Sequence, residues 1–155
     1  MKTVFFLCAF ALLFVSCASK ETLSIRQFHL TDPEVERDYY DRYDENQFIR
    51  GVINKRMHGA ITAQECEARK GHYYTVNWQQ LTGKEPVKIL FEYRQASTGA
   101  RVKRTSRILP ASESGCAEFQ IIGSGYKKNG RILSWRFTLY EGGQKVASKQ
   151  SYFWD

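Results

Sequence analysis

The sequence lacks the motifs that identify common enzyme classes. It has no CxxC pair, no HExxH, no P-loop and no GxSxG. Their absence argues against a dithiol redox centre, a zinc knuckle, a zinc peptidase, a nucleotide site and the usual serine hydrolases. The three histidines, His29, His58 and His72, are scattered, with no partner at metal-ligand spacing. We therefore expect no metal, no cofactor and no catalytic residue. We interpret His58 as a loop residue and His72, at the start of a strand, as a residue with a surface or turn role.

A pair of carboxylates of the glycosidase type is also lacking. Glu92 and Glu118 fall among basic residues on apparent strand faces. Solvated cross-strand ion pairs explain them better than catalysis does. The sequence therefore predicts a protein that is not an enzyme, with an envelope hydrolase whose site is built from loops as the alternative.

No apolar run is long enough to cross a bilayer. Residues 4–15 are almost wholly apolar, whereas a spanning helix needs about 20 such residues. With Lys2 before it and small residues after it, this run is typical of a secretory signal peptide, here residues 1–16. The chain is therefore expected to be exported.

The end of the signal peptide resembles a bacterial lipobox. Phe14-Val15-Ser16-Cys17 places a small residue directly before a cysteine. The resemblance implies cleavage before Cys17, lipidation of Cys17 and anchoring to a bacterial membrane, where buried acyl chains hold the domain at the surface. Ala18 implies sorting to the outer membrane, on its periplasmic face. Cleavage after Ser16 or Ala18, which leaves a soluble periplasmic protein, is the alternative.

Cysteine is scarce in the exported chain. Cys8 is removed with the signal peptide and Cys17 would carry the lipid, so Cys66 and Cys116 remain. An exported protein meets a compartment that permits a disulfide between them. Such a bridge would close a loop of about fifty residues and contribute roughly 4 kcal/mol in the chain-entropy model. Two separate buried thiols that behave as small apolar side chains are the alternative.

Charge is distributed unevenly along the chain. Residues 32–45 hold seven acids against two arginines, whereas residues 46–155 hold eighteen Lys and Arg against eight Asp and Glu. This asymmetry predicts an N-terminal arm, residues 17–61, with an acidic segment, followed by a basic domain. Either the arm lies on the domain and partly neutralises it, or the domain meets an anionic lipid, an acidic glycan or another envelope protein. Nucleic acid is not an expected partner of an exported chain.

Alternation of apolar and polar residues predicts strands over most of the domain. The clearest run, residues 87–93, has apolar side chains on one face and mostly charged ones on the other, which is the period of two of a half-buried strand. The predicted strands are residues 23–30, 73–78, 87–93, 101–109, 117–121, 133–139 and 144–154.

Helices and turns punctuate these strands. Thr62 and Glu65 form a capping-box pattern that begins a helix running to about residue 70, with Gly71 as its left-handed stop. Residues 33–44 are a weaker helix candidate, or equally an irregular acidic linker. The dipeptides at residues 129–130 and 142–143, Asn-Gly and Gly-Gly, predict tight turns, and the second joins two runs that can form a hairpin.

Six or seven short strands with turn signals between them indicate one mainly-β domain, residues 62–155, in which a short helix precedes a single antiparallel β-sandwich. The segment from residue 130 onward resembles the last hairpin of an immunoglobulin-like or fibronectin type III-like domain. The stretches ARKGHYYTVNW, VKILFEYRQASTGARVKR and NGRILSWRFTLYEGG are similar to those of uncharacterised bacterial exported lipoproteins. The resemblance implies an exported sandwich and no specific activity.

Basic residues concentrate on two predicted segments and form a candidate anion-binding patch. We interpret Lys103, Thr105 and Arg107 as sharing the outer face of their strand with Arg101. The alternative is that an edge strand carries cations to prevent edge-to-edge pairing. The patch comprises Arg101, Lys103, Arg104, Arg107, Lys127, Lys128 and Arg131.

Together these features favour a membrane-anchored envelope lipoprotein that acts as a non-catalytic binding or scaffolding module. Export, lipid anchor, sandwich pattern and missing catalytic motifs all fit that function. The envelope hydrolase is one alternative. The other is a structural or secretion-accessory lipoprotein that docks through its N-terminal arm.

Overall fold

The structure is a computed structural model that describes residues 21–31 and 47–154. The signal peptide, Cys17, the whole acidic segment of residues 32–45 and the helix expected at residues 33–44 lie outside the described residues. Among those described, no helix is both long enough and apolar enough to cross a membrane. The elements are β1 (Leu23–Leu30), α1 (Gln47–Met57), α2 (Ala63–Arg69), β2 (Gly71–Trp78), β3 (Val87–Gln95), a 3-10 turn (Ala96–Thr98), β4 (Lys103–Leu109), β5 (Gly115–Ile122), α3 (Gly123–Asn129), β6 (Ile132–Glu141) and β7 (Gln144–Gln150).

The strands form two antiparallel sheets. One has the order β1-β2-β5 and the other the order β4-β3-β6-β7. A constant immunoglobulin domain places its first, second, fourth and fifth strands in one sheet and the other three in the second. Here the fourth strand has joined the second sheet, beside β3. The predicted fold class, a single immunoglobulin-like antiparallel β-sandwich, is confirmed.

The core lies between the inner faces of the two sheets. Tyr74 and Val76 of β2 are fully buried there, together with Phe91 of β3 and Phe137 of β6. The rings of Phe91 and Phe137 stack with centroids 4.3 Å apart, and Tyr74 packs against both. Burying each of the apolar side chains Val76, Phe91 and Phe137 contributes about 1.5–3 kcal/mol, so the alternating runs supply the main stabilisation of the fold.

The predicted start of the domain at residue 62 is too late, because the first strand is part of the sandwich. β1 pairs with β2 along its whole length, from Leu23 opposite Trp78 to Leu30 opposite Gly71. Its bounds are those expected from the sequence, but it belongs to the sandwich and not to a separate arm, because buried Leu23 completes the core. The sandwich therefore begins at residue 23, and α1 and α2 lie in the connection between its first two strands.

A smaller second core lies on the outer face of the three-stranded sheet. There Ile53 of α1 packs with Leu30 of β1 and Tyr73 of β2. The guanidinium of Arg56 lies over the Tyr73 ring, 4.4 Å from its centroid. No sequence pattern predicted α1, and this layer was therefore not expected.

The second helix begins as predicted and ends differently. The Thr62 hydroxyl accepts a bond from the backbone N–H of Glu65, and the Glu65 carboxylate accepts one from Thr62 N–H, at 3.2 and 2.9 Å. Gly71 has φ +143° and is not a left-handed stop. A Cβ at Gly71 would lie 2.2 Å from the Ile121 carbonyl oxygen, so the close approach of β5 requires glycine there.

Two expectations about the last third of the chain need correction. Asn129-Gly130 does not form a tight hairpin turn, because both residues close α3: the Asn129 side chain donates to Gly125 O and Gly130 N–H donates to Tyr126 O. The final strand ends at Gln150, since residues 151–154 leave β7 as a tail. The hairpin at Gly142-Gly143 joins β6 and β7 as predicted.

The sandwich has two distinct ends. Leu23, Trp78 and Gly115 meet at the end where β1 begins, which we call the N-terminal end. Gly71 and Ile122 meet at the other, which α3 covers and which we call the α3 end. β1, eight residues long, spans about 25 Å between them.

Candidate functional site

Two histidines meet at the α3 end of the sandwich. His29 of β1 pairs directly with His72 of β2, and the two rings stack in parallel with centroids 3.9 Å apart. His29 Nε2 lies 2.9 Å from the Tyr126 hydroxyl of α3. The backbone N–H of Ile132, the first residue of β6, donates to His72 Nε2 at 3.0 Å. The pair therefore joins elements of both sheets and α3.

His72 is held in its neutral form. Burial lowers its pKa to about 3, with smaller contributions from the neighbouring His29 and Arg131. Because Nε2 accepts the bond from Ile132, the proton of the neutral ring resides on Nδ1. The predicted surface or turn role of His72 is wrong, since the ring is only 3% exposed.

Beside the histidines is a cleft of about 620 Å³, the end cleft. Arg94, Arg131, Leu133 and Phe153 contribute to its walls together with the histidine pair. Phe153 is 75% exposed, and Tyr152 beside it is 91% exposed. Their rings meet edge to face with centroids 5.1 Å apart. The rim of the cleft thus combines exposed aromatic rings with two arginines.

The C-terminal tail owes its position to Trp154. The indole lies between two guanidinium groups, 4.7 Å from that of Arg94 and 5.0 Å from that of Arg136. Arg94 also donates to the Trp154 carbonyl at 2.5 Å. Trp154 is buried, and Ser151 donates its N–H to Trp135 O. This clamp fixes the tail and presents Tyr152 and Phe153 to solvent.

Glu92 is buried on the outer face of the four-stranded sheet, at only 4% exposure. Its carboxylate accepts bonds from Arg104 of β4 at 2.9 Å and from Arg136 of β6 at 2.6 and 2.8 Å. The ion pairs cross strands, as the sequence predicted, but their solvation is one-sided: the Glu92 carboxylate is buried, whereas the Arg104 and Arg136 side chains are 68% and 38% exposed. Glu118 instead pairs with Arg56 of α1.

The candidate anion-binding patch does not form one surface. Lys103 and Arg107 lie opposite Tyr93 and Ile89 in the register, so they share the core face of the sheet and not its outer face. Lys103 Nζ donates to Gln95 Oε1. The guanidinium of Arg107 lies 5.4 Å from the Phe119 ring centroid.

The other members of the patch are dispersed. Arg104 faces outward and holds Glu92. Arg101 is exposed on the loop before β4, Lys127 and Lys128 are exposed on the last turn of α3, and Arg131 lines the end cleft. Only Arg131 therefore belongs to the cleft.

Cys66 and Cys116 are both free thiols in the structure. Cys116 lies on β5 opposite Asn77, near the N-terminal end, whereas Cys66 lies on α2, which leads into Gly71 at the α3 end. The disulfide considered from the sequence is not formed. The alternative, two buried thiols, does not fit Cys116 either, because Cys116 is exposed.

Within the described parts of the chain, no group of three or more His, Cys, Asp or Glu side chains is arranged to hold a metal ion. The stacked histidines direct their Nε2 atoms to Tyr126 and to the Ile132 backbone. The sequence could not reveal the end cleft, because its walls come from segments that are distant in sequence: the end of β1, the start of β2, the end of β3, the start of β6 and the tail.

No protein-family model and no curated protein matches the sequence. Among solved structures, an immunoglobulin-like protein from Pseudomonas aeruginosa is similar, with 15% sequence identity, a TM-score of 0.35, and coverage of 52% of this chain and 69% of that chain. A similarity of this size carries no functional argument, and the strand order described above supports the fold.

Proposed function

We propose that the protein is an exported envelope lipoprotein, anchored through Cys17, that acts as a non-catalytic binding module through the end cleft. The observation that carries this proposal is the rim of the cleft, where Phe153 and Tyr152 are exposed beside Arg94 and Arg131. Contiguous exposed apolar side chains on a soluble domain mark interaction sites. Aromatic residues and arginine are also the types enriched at protein interfaces.

The geometry of the chain supports a partner that lies away from the anchoring membrane. Cys17 precedes Glu21 by four residues, a distance of at most about 14 Å when fully extended. Glu21 lies at the N-terminal end, and the end cleft lies about 25 Å further on, beyond β1. The anchor therefore holds the opposite end of the sandwich near the lipid.

The chemistry of the rim favours an anionic partner, either an acidic envelope glycan or an acidic surface of another envelope protein. The cleft-lining residues include no carboxylate and no cysteine. His72 Nε2 is already occupied by a backbone N–H, so it is not available as a general base. Both features support binding over hydrolysis.

Brief cross-linking in native envelopes, followed by capture of the protein, tests this proposal. The test variant is Arg131→Glu combined with Phe153→Ser, which changes the rim only. The matched control is Lys145→Glu combined with Val146→Ser, which changes one exposed cation and one exposed apolar residue on β7, next to the hairpin at the N-terminal end. A Cys17→Ala form tests whether the anchor is needed.

We expect the wild type and the β7 control to capture a specific protein or glycan, and the rim variant to capture at least about tenfold less of it. Capture that the rim variant retains in full would show that the end cleft is not the binding site. Hydrolysis of an envelope polymer by the purified chain, abolished by His29→Ala, would contradict the non-catalytic function.

A further inference from the structure

A second concave site lies beneath α1, on the outer face of the three-stranded sheet. We call it the α1 groove. Its floor includes Arg26, Phe28 and Thr75, and its roof includes Val52 and Lys55. Its volume is about 700 Å³, within the roughly 300–1,000 Å³ of known ligand sites. It is separate from the end cleft, since Tyr74 and Val76 on either side of Thr75 point into the core.

The walls of the α1 groove are mostly apolar. The partly buried side chains of Phe28 and Val52 provide this surface, whereas Tyr73 also lines the groove but is buried and lies under the Arg56 guanidinium. Gly51, which also lines the groove, leaves open space, because an added Cβ would meet no atom within 4 Å. The sheet bounds one side and the helix another, so the groove suits a narrow, flexible chain better than a strand or helix of a partner protein.

The charge in the groove is positive and incompletely paired. Arg26, Lys55 and Arg56 line it, against the single carboxylate of Glu118. Arg56 donates to both oxygens of Glu118, at 3.1 and 2.9 Å, and these bonds lower the pKa of that carboxyl. Within the described part of the chain, Arg26 and Lys55 have no ion-pair partner.

We propose that the α1 groove binds a single-chain anionic lipid, a long-chain fatty acid. Its hydrocarbon chain lies along Phe28 and Val52, where apolar surface is removed from water. Its carboxylate lies between Arg26 and Lys55 and accepts charge-assisted hydrogen bonds from both side chains. This site is independent of the end cleft and of its partner.

Palmitate binding to the full-length chain carrying Cys17→Ala tests the proposal, since removal of the lipid allows purification without detergent. Native mass spectrometry gives the stoichiometry and calorimetry below the micelle concentration gives the affinity. The blocking variant is Thr75→Phe, which places a ring on the groove floor. The matched control is Asn77→Phe, two residues further along the same face of β2 and outside the groove.

A second pair of variants tests whether the two exposed cations of the groove bind the carboxylate headgroup. Arg26→Gln with Lys55→Gln removes the free charges of the groove, and Lys84→Gln with Lys145→Gln removes two exposed charges elsewhere. Hexadecanol has the same tail without the charge. Far-ultraviolet circular dichroism and thermal melting confirm that each variant is folded, and these four surface substitutions keep the test decisive if Thr75→Phe does not fold.

We expect one palmitate per chain, about tenfold or more weaker binding with Thr75→Phe or with the groove charge variant, and wild-type binding by both controls. Hexadecanol binding is expected to be insensitive to the charge variant. Equal effects of Thr75→Phe and Asn77→Phe, or binding of lysophosphatidylglycerol but not palmitate, would overturn the proposal. A further outcome would also overturn the proposal: palmitate that binds only after the seven acids of residues 32–45 are neutralised. That result would mean that the acidic segment of the chain, and not a fatty acid, occupies the α1 groove.

Discussion

At the scale of single residues, His72 links the stability of the fold to pH. Its pKa falls from 6.5 to about 3, first because burial disfavours the charged ring and then because His29 and Arg131 lie nearby. Below pH 6.5 the unfolded chain therefore takes up a proton at this position and the folded chain does not. The stability contributed by neutral His72 is fully present above pH 6.5 and is lost as the pH falls towards about 3.

We predict that the free energy of unfolding of the wild type falls by up to about 1.4 kcal/mol per pH unit below about pH 6. In His72→Gln this slope is expected to be largely absent, because glutamine does not titrate yet still accepts the bond from Ile132 N–H. Urea unfolding between about pH 7 and 5 measures it, above the range in which carboxylates titrate. If the free energy of unfolding depends on pH with the same slope in both proteins, the pH dependence does not come from His72.

The same residue shows what the sequence could not predict. His29 and His72 are 43 residues apart, and neither has a motif around it. They stack only because β1 and β2 pair in one register. The patch on β4 failed for a related reason. An outer face made of Lys103, Thr105 and Arg107 would turn the neighbouring Ile108 inward, whereas Ile108 is 73% exposed. The register with β3 turns Lys103 and Arg107 towards the core face instead.

At the scale of elements, predictions succeeded where one periodicity dominates. β3 and β6 alternate over residues 87–93 and 135–139, because each strand has one face against the core, and the capping box fixed the start of α2. β1 has its predicted bounds although its buried Leu23 and Leu30 lie on opposite faces of the sheet. α1 and α3 were missed. α3 contains two glycines and begins without a side-chain cap, and it forms because it bridges β5 and β6 over the histidine pair. Such helices depend on tertiary contacts more than on intrinsic propensity.

Gly71 gives a test at this scale, since it sets the junction between α2 and β2. In Gly71→Ala the new Cβ would lie 2.2 Å from the Ile121 carbonyl oxygen, at φ +143°. We predict a loss of about 3 kcal/mol or more, because β2 and β5 must separate or the backbone must shift. Chemical denaturation of the purified variant measures the loss.

The matched control is Gly99→Ala. Gly99 also has a positive φ, +56°, but no atom lies within 4 Å of its added Cβ. With ψ −132°, Gly99 lies outside the left-handed α region, in backbone space that other residues rarely adopt, so only a backbone penalty of about 1–3 kcal/mol is expected there. If the two variants lose equal stability, the close approach of β5 is not what requires glycine at Gly71.

At the scale of the whole molecule, the two concave sites use surfaces that the fold leaves uncovered. The end cleft lies where β6 begins beyond the reach of β7, and the tail then turns across the outer face of the sheet. The α1 groove lies where α1 covers only part of the three-stranded sheet. Neither surface follows from the period of any strand, because each is assembled from segments distant in sequence. The fold class was therefore predictable and the candidate sites were not.

The proposed lipid anchor at Cys17 predicts how the sandwich is oriented relative to the membrane. If Cys17 is lipidated, the chain between it and Glu21 keeps the N-terminal end within about 14 Å of the headgroups. Lys84, in the loop between β2 and β3, and Lys145, next to the β6–β7 turn, lie at that end. Lys127 and Lys128 lie on α3 at the other end and are exposed.

We predict that lipidated protein on vesicles is acetylated several-fold more slowly at Lys84 and Lys145 than the Cys17→Ala form, and equally fast at Lys127 and Lys128. Mass spectrometry after brief acetylation measures each lysine in the same sample, so the α3 pair is an internal control. Protection of Lys127 and Lys128 instead would mean that the α3 end faces the membrane. In that case the exposed rings of Tyr152 and Phe153 and the cations around the end cleft would contact lipid, and the proposed partner beyond the membrane would have to be abandoned.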